Sequence, residues 1–300
     1  MMRFALVLVA VSVAACATSG AIKVAGVKPG YLEDATANVP NIEAIGRRIW
    51  VPGLDEGYVP QGLTVGDGSL WLSAYRSADP KVNTGPCRVF RLSMDSGAIT
   101  GQFDLPPTAC THSGGLAWLG NGRLLLADTR QLFRIDVARA LASGQAEGAM
   151  QSVRLAGELR GSFAGFDGQH AWIGTWTKDV SLARMYRLDD HLFDLHDGRS
   201  VDHLAGSVES IPIPVEVQGL AFDSHGDPWV SASSGTFGEL YHLDRQGRVH
   251  GKFEMVAGLE DIEFDSTGRL WGVSESGSKK YMHWATHFPQ VFEIDVAKLR

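Results

Sequence analysis

The sequence predicts an all-β protein: a five-bladed β-propeller whose last blade is closed by a strand from the N-terminal side. Three observations carry this. A unit of short strands recurs five times, helical periodicity is almost absent, and the fifth unit lacks a fourth strand while an unassigned strand precedes the first unit. The clearest copy of the unit lies at 217–244, with strands at 219–223, 228–233 and 239–244 and a Ser/His/Gly/Asp turn at 224–227.

The first strands of the five units begin at Gly62, Gly115, Gly165, Gly219 and Asp261. Each is followed by a Gly or Asp turn and a second apolar strand, which carries a tryptophan near its start in four units (Trp71, Trp172, Trp229 and Trp271). The third strands agree best: Phe90/Leu92, Phe133/Ile135, Tyr186/Leu188, Tyr241/Leu243 and Phe292/Ile294 put an aromatic and an aliphatic on one face of a period-2 strand. Fourth strands are expected at 99–105, 151–155, 208–212 and 249–255. An open edge after the fifth unit would invite aggregation, and the strand at 48–51 is the natural closure. The best helix candidate, 137–145, is short and lies between strands.

At 44% apolar and 20% charged residues, with 35 glycines, the composition is globular and turn-rich. A formal charge of −7 argues against a nucleic-acid surface, which needs a basic patch. Residues 1–16 read as a lipoprotein signal peptide: Arg3, then the apolar run 4–13, then Val13-Ala14-Ala15-Cys16, which resembles the bacterial lipobox. The resemblance implies lipidation at Cys16, with a lipid anchor as the only membrane contact, and an outer-membrane address facing the periplasm in a Gram-negative cell. A tether at 17–44 and the propeller at 45–300 complete the expected organisation, and the protein is expected to be a monomer. Export would place Cys87 and Cys110 in an oxidising compartment; they sit at neighbouring strand ends of the first unit and make a reasonable disulfide.

Function concentrates on loops held by a rigid scaffold. The long loops 75–86 and 275–289, with the connections 106–113 and 213–217, all fall on one face of the ring, so that face is the expected working face. Candidate ligand-binding residues there are Gln61, Arg76, Trp176, Lys178, Gln218, Glu275 and Trp284. Candidate catalytic groups are His112 and Glu260, as general bases. Glu260, Asp261 and Asp128 are the candidate ligands of a Ca²⁺ ion, although no contiguous loop supplies them. The expected ligand is small and polar or peptide-like, and the expected alternatives are a hydrolase or cyclotransferase on the same site, or a protein-interaction scaffold.

Pro60-Gln61-Gly62-Leu63 and Leu259-Glu260-Asp261-Ile262-Glu263-Phe264 resemble the Phe-Thr-Gln-Gly-Leu and Leu-Asn-Glu-Leu-Glu-Tyr motifs of the five-bladed glutaminyl cyclotransferases of plants and bacteria. Where that family has a second-blade Glu-Gly-Leu with its catalytic glutamate, this chain has Gly114-Gly115-Leu116. The blade rhythm is also similar to the calcium-dependent SMP-30/gluconolactonase-like propellers, which have six blades and an early Glu-Gly-Pro not found here. The first resemblance implies cyclisation of N-terminal glutamine, the second a Ca²⁺-dependent lactonase.

Overall fold

A computed structural model describes residues 23–33, 38–189, 191–202, 209–233 and 236–300. The signal segment 1–16 and its Cys16 lie outside the described residues.

The chain forms five antiparallel blades. Blade 1 comprises Tyr58–Gly66, Ser69–Arg76, Cys87–Ser93 and Ile99–Asp104 from axis to rim. Blade 2 comprises Gly115–Gly120, Arg123–Asp128, Gln131–Asp136 and Met150–Leu155, and blade 3 comprises Phe163–Phe166, Ala171–Gly174, Arg184–Arg187 and Ser210–Pro212. Blade 4 comprises Val217–Phe222, Pro228–Ser233, Gly238–Leu243 and Val249–Met255. Blade 5 takes Leu259–Phe264, Leu270–Ser274 and Gln290–Ile294 from the end of the chain, and its fourth strand is Ile45–Trp50, antiparallel to Gln290–Ile294 with Arg48 opposite Phe292. The predicted closure is therefore present. Val24–Ala25 adds a short parallel strand outside it, so part of the 17–44 segment lies on the rim of blade 5.

The repeating residues have repeating jobs. In blades 3, 4 and 5 the tryptophan of the second strand donates its indole N–H to the aspartate that ends the first: Trp172 to Asp167 (2.8 Å), Trp229 to Asp223 (3.3 Å) and Trp271 to Asp265 (2.9 Å). Those aspartates also accept backbone N–H groups of their own turns, so one residue both closes the hairpin and satisfies a buried indole. In the third strands Phe90/Leu92, Phe133/Ile135 and Phe292/Ile294 are fully buried between blades, each side chain contributing about 1.5–3 kcal/mol.

Two features were not legible. A helix at Leu192–His196 and a strand at Arg199–Val201 leave blade 3 and pack on the rim of blade 2, where Leu192 and Phe193 are buried. At under six residues each, such elements carry too little periodicity to read. The Cys87–Cys110 disulfide is present and buried, and a loop of this size stabilises by about 3 kcal/mol. It fastens the connection into blade 2 to blade 1, two residues before His112.

The axis itself is closed by backbone. A Cβ added at Gly62, Gly115, Gly165 or Gly219 would lie 2.2–2.8 Å from the next inner strand, at Leu116 N, Ala164 N, Leu220 O and Asp261 Cα respectively. Only glycine permits that approach. The fifth inner strand breaks the pattern with Asp261, whose carboxylate fills the space the glycines leave. It accepts the backbone N–H groups of Leu63 in blade 1 (2.9 Å), Leu116 in blade 2 (3.1 Å) and Ile262 in its own blade (3.0 Å).

Candidate functional site

On the face with the long loops, a cavity of about 600 Å³ opens along the axis. β-Bulges at the start of three inner strands aim side chains into it. Register shifts between Pro60 and Leu63, Val217 and Gly219, and Leu259 and Ile262 free Gln61, Gln218 and Glu260 from the strict in/out alternation of a strand. Gln61, His112, Trp176, Gln218, Glu260 and Glu275 all line the cavity.

Its floor is a pair of acids. Glu260 is 1% and Glu275 6% exposed, and their carboxyls hydrogen-bond to each other. Gln218 Nε2 donates to Glu260 (3.1 Å) and Gln61 Nε2 to Glu275 (2.9 Å). Burial, then the neighbouring Glu275 charge, raises Glu260 well above the ordinary carboxyl range. Burial pushes Glu275 up to about 8, against the opposing pull of Lys280, Gln61, Glu260 and Tyr281. Two carboxyls this close cannot both ionise in a dry site, so the pair holds a proton at neutral pH.

A chain of polar groups leads away from Glu275. The Tyr281 hydroxyl hydrogen-bonds with Glu275 and with the Tyr75 hydroxyl. Tyr75 in turn accepts from Lys280 Nζ at 2.7 Å. Lys280 is 1% exposed, and its ammonium also donates to Val82 O (2.9 Å) and Asn83 Oδ1 while lying about 5 Å from the Tyr75 and Tyr281 ring centres. Burial lowers its pKa, and Glu275 pulls the other way. Beside this chain, half-buried His112 packs on the Tyr75 ring at 4.8 Å. Its Nδ1 lies 2.7 Å from Asn83 O, which can only accept, so Nδ1 carries the proton and Nε2 keeps its lone pair. Burial lowers the His112 pKa and keeps the ring neutral at pH 7.

Other expected site residues are placed elsewhere. Arg76 turns away to Glu56 O (2.9 Å), and Lys178 is 75% exposed and paired with Glu216. Trp284 packs on Tyr281 with ring centres 4.3 Å apart and the planes tilted by 36°, without lining the cavity. The three expected Ca²⁺ ligands do not converge: Glu260 faces the cavity, Asp261 plugs the axis, and Asp128 accepts Thr111 N (2.7 Å) and His112 N in the loop beyond. Among the described residues the one grouping of acids and histidine tight enough for a metal is Asp223, Asp227 and His242, elsewhere on blade 4. Tyr75, Lys280 and Tyr281 were missed. They bracket or belong to the two long loops, but only the folded loops bring them together.

The raised carboxyls make a pH prediction. A carboxyl whose pKa is higher in the folded protein contributes stability that is complete below its unfolded value, near 4.5, and is lost as pH rises through the folded value. Glu275 and Glu263 are both pushed up to about 8 by burial. Thermal melts are therefore expected to fall steadily between about pH 5 and pH 8, at up to about 1.4 kcal/mol per pH unit for each such group. Glu263→Gln should flatten the slope. A stability that is constant or rises over this window would contradict the assignment.

No family model matches the chain, and no curated protein matches it. Solved structures similar to it include a streptogramin B lyase (12% identity, 84% of this chain and 97% of that one, TM-score 0.40). A putative gluconolactonase is similar at 16% identity over 80% of this chain and 81% of that one, with TM-score 0.43. The PQQ-bound aldose sugar dehydrogenase of Streptomyces coelicolor is similar at 13% identity over 78% and 93%, with TM-score 0.43.

Proposed function

We propose that the axial mouth is an acid–base active site acting at the carbonyl group of a small polar or peptide-like substrate. One observation carries the reading: the proton-sharing pair Glu260–Glu275 forms the floor of an open cavity large enough for such a molecule. Such a pair is costly to bury, and a neutral carboxyl at pH 7 is an effective proton donor.

In this reading the protonated pair, through Glu260, hydrogen-bonds the substrate carbonyl oxygen and transfers its proton as negative charge develops there. His112 Nε2 takes the proton of the attacking group, either a water or an amine of the substrate itself. As the tetrahedral adduct collapses, its oxygen returns the proton to Glu260, the bond to the leaving group breaks, and His112 gives its proton to the departing alkoxide or ammonia. Gln61 and Gln218 fix the two acids. Tyr281, Tyr75 and Lys280 form the hydrogen-bonded path by which Glu275 exchanges protons. Trp176, 40% exposed at the rim, supplies a flat apolar surface for the substrate body.

The test is a turnover screen of the purified protein with lactones, esters and N-terminal glutaminyl peptides, run beside the Glu260→Gln variant. Turnover by the wild type that the variant lacks supports the proposal. Wild-type rates no higher than those of the variant on every substrate would overturn it.

A further inference from the structure

The opposite mouth of the ring is built from a second repeating position. Where each inner strand enters its first turn stands one apolar residue: Val65, Trp118, Phe166, Phe222 and Phe264 in blades 1 to 5. The register is the same in every blade, opposite Leu70, Leu124, Ala171, Pro228 and Leu270 respectively. Five equivalent positions on a closed ring form a ring of side chains, and all five are half-buried, with part of each left open. They surround a pit of about 590 Å³.

The ring is held rigidly from behind. Trp118 stacks on Trp71 of blade 1 at 5.8 Å, Phe222 leans on Trp172 of blade 3 at 5.9 Å, and Phe264 meets Trp229 of blade 4 edge-on at 6.0 Å. Inter-blade packing therefore uses one side of each of these aromatics and presents the other to the pit.

One step deeper on each strand the residues are Thr64, Ala117, Gly165, Ala221 and Glu263. Four are small and one is an acid. Glu263 accepts from Thr64 Oγ1 and from Phe264 N, both at 3.0 Å, and among the described residues it has no ion-pair partner. Around the rim, Asp167, Asp223 and Asp265 also line the pit, while no lysine or arginine does so among the described residues. The pit is thus aromatic in its walls and acidic at its base and rim.

We infer that this second mouth is a binding site for an organic cation, a quaternary or protonated amine with an apolar body, whose charge sits over Glu263 and whose carbon skeleton lies against the aromatic ring. The chemistry selects that class. An anion meets four carboxyl groups and, among the described residues, no lysine or arginine, whereas a neutral apolar molecule makes no use of the acid at the base. Burial pushes Glu263 up to about 8, so the cation binds as that proton is released and binds more tightly as pH rises. An inorganic cation needs several converging oxygens; of the three rim aspartates Asp223 alone belongs to such a grouping among the described residues, and its companions Asp227 and His242 do not line the pit. Ring faces and a buried carboxyl together are what a desolvated ammonium requires.

The probe is phenyltrimethylammonium, compared with its uncharged carbon isostere tert-butylbenzene, by calorimetry and by quenching of the pit tryptophans. The cation is expected to bind about tenfold or more tightly than the isostere, because shape is matched and only charge differs. Glu263→Gln is expected to erase that difference, and Trp118→Leu to weaken the cation while leaving the melting temperature within a few degrees. Glu260→Gln, on the other mouth, should bind the cation as the wild type does. The inference is overturned if the wild type binds no cation at millimolar concentration, if the isostere binds equally well, or if Glu260→Gln abolishes binding. Should Glu263→Gln fail to fold, the isostere comparison and Trp118→Leu still decide the matter.

Discussion

Asp261→Ala is expected to cost about 3–5 kcal/mol of stability, a large part of the roughly 5–15 kcal/mol available to a typical domain. The carboxylate caps three backbone N–H groups drawn from blades 1, 2 and 5, at a point on the axis that water cannot readily reach. Removing it leaves each donor buried and unsatisfied, at about 1–3 kcal/mol apiece, offset in part by relief of burying an acid whose pKa is raised well above its ordinary value. Asp261→Asn keeps one oxygen for Leu63 and Leu116 and loses the bond to Ile262, so its cost should be about 1–2 kcal/mol. Denaturant midpoints measure both. An alanine variant within about 1 kcal/mol of wild type would show that the axis closes without this plug.

Glu260→Gln is expected to behave in the opposite way, losing activity while keeping the fold. The carboxamide can still accept from Gln218, so the shape of the floor is retained and the transferable proton is removed. A proton donor of this kind is worth about 10²–10⁴-fold in rate, and kcat/KM on any substrate found in the turnover screen should fall by that factor. Melting temperature should hold or rise, because a buried ionisable group is gone. Glu275→Gln should also lose activity, because it removes the second acid of the pair, and it removes the group that pulls the Lys280 pKa up against burial. Full activity in Glu260→Gln would end the proposed role of the pair.

The blades were legible because their signals are local. An aromatic two residues before Leu or Ile marks each third strand, and an aspartate–tryptophan pair marks three of the first hairpins. Loop lengths singled out one face, and Gln61, His112, Gln218, Glu260 and Glu275 line one cavity there. The division of labour between Glu260 and Asp261 was not legible. Adjacent residues on a strand point opposite ways, but a bulge set by packing around the axis decides which of them faces the cavity. The sole departure from glycine at this position of the inner strands was the available hint that Asp261 plugs the axis. Lys280, Tyr75 and Tyr281 were hidden for another reason: their contacts cross about 200 residues of chain and exist only once loops 77–86 and 275–289 have folded against each other. Arg76, Lys178 and Trp284 do not line the cavity, because a place in the chain fixes where a Cα lies and not where a long side chain turns.

The acid pair itself is open to direct measurement. Carboxyl carbons of glutamate, labelled with ¹³C and followed by NMR across pH, report each protonation step, and the Glu260→Gln and Glu275→Gln spectra assign the two signals. The account predicts that Glu275 titrates near 8 and Glu260 well above the ordinary carboxyl range, with each step displaced when the partner is replaced. Two glutamates titrating independently near 4.5 would contradict it.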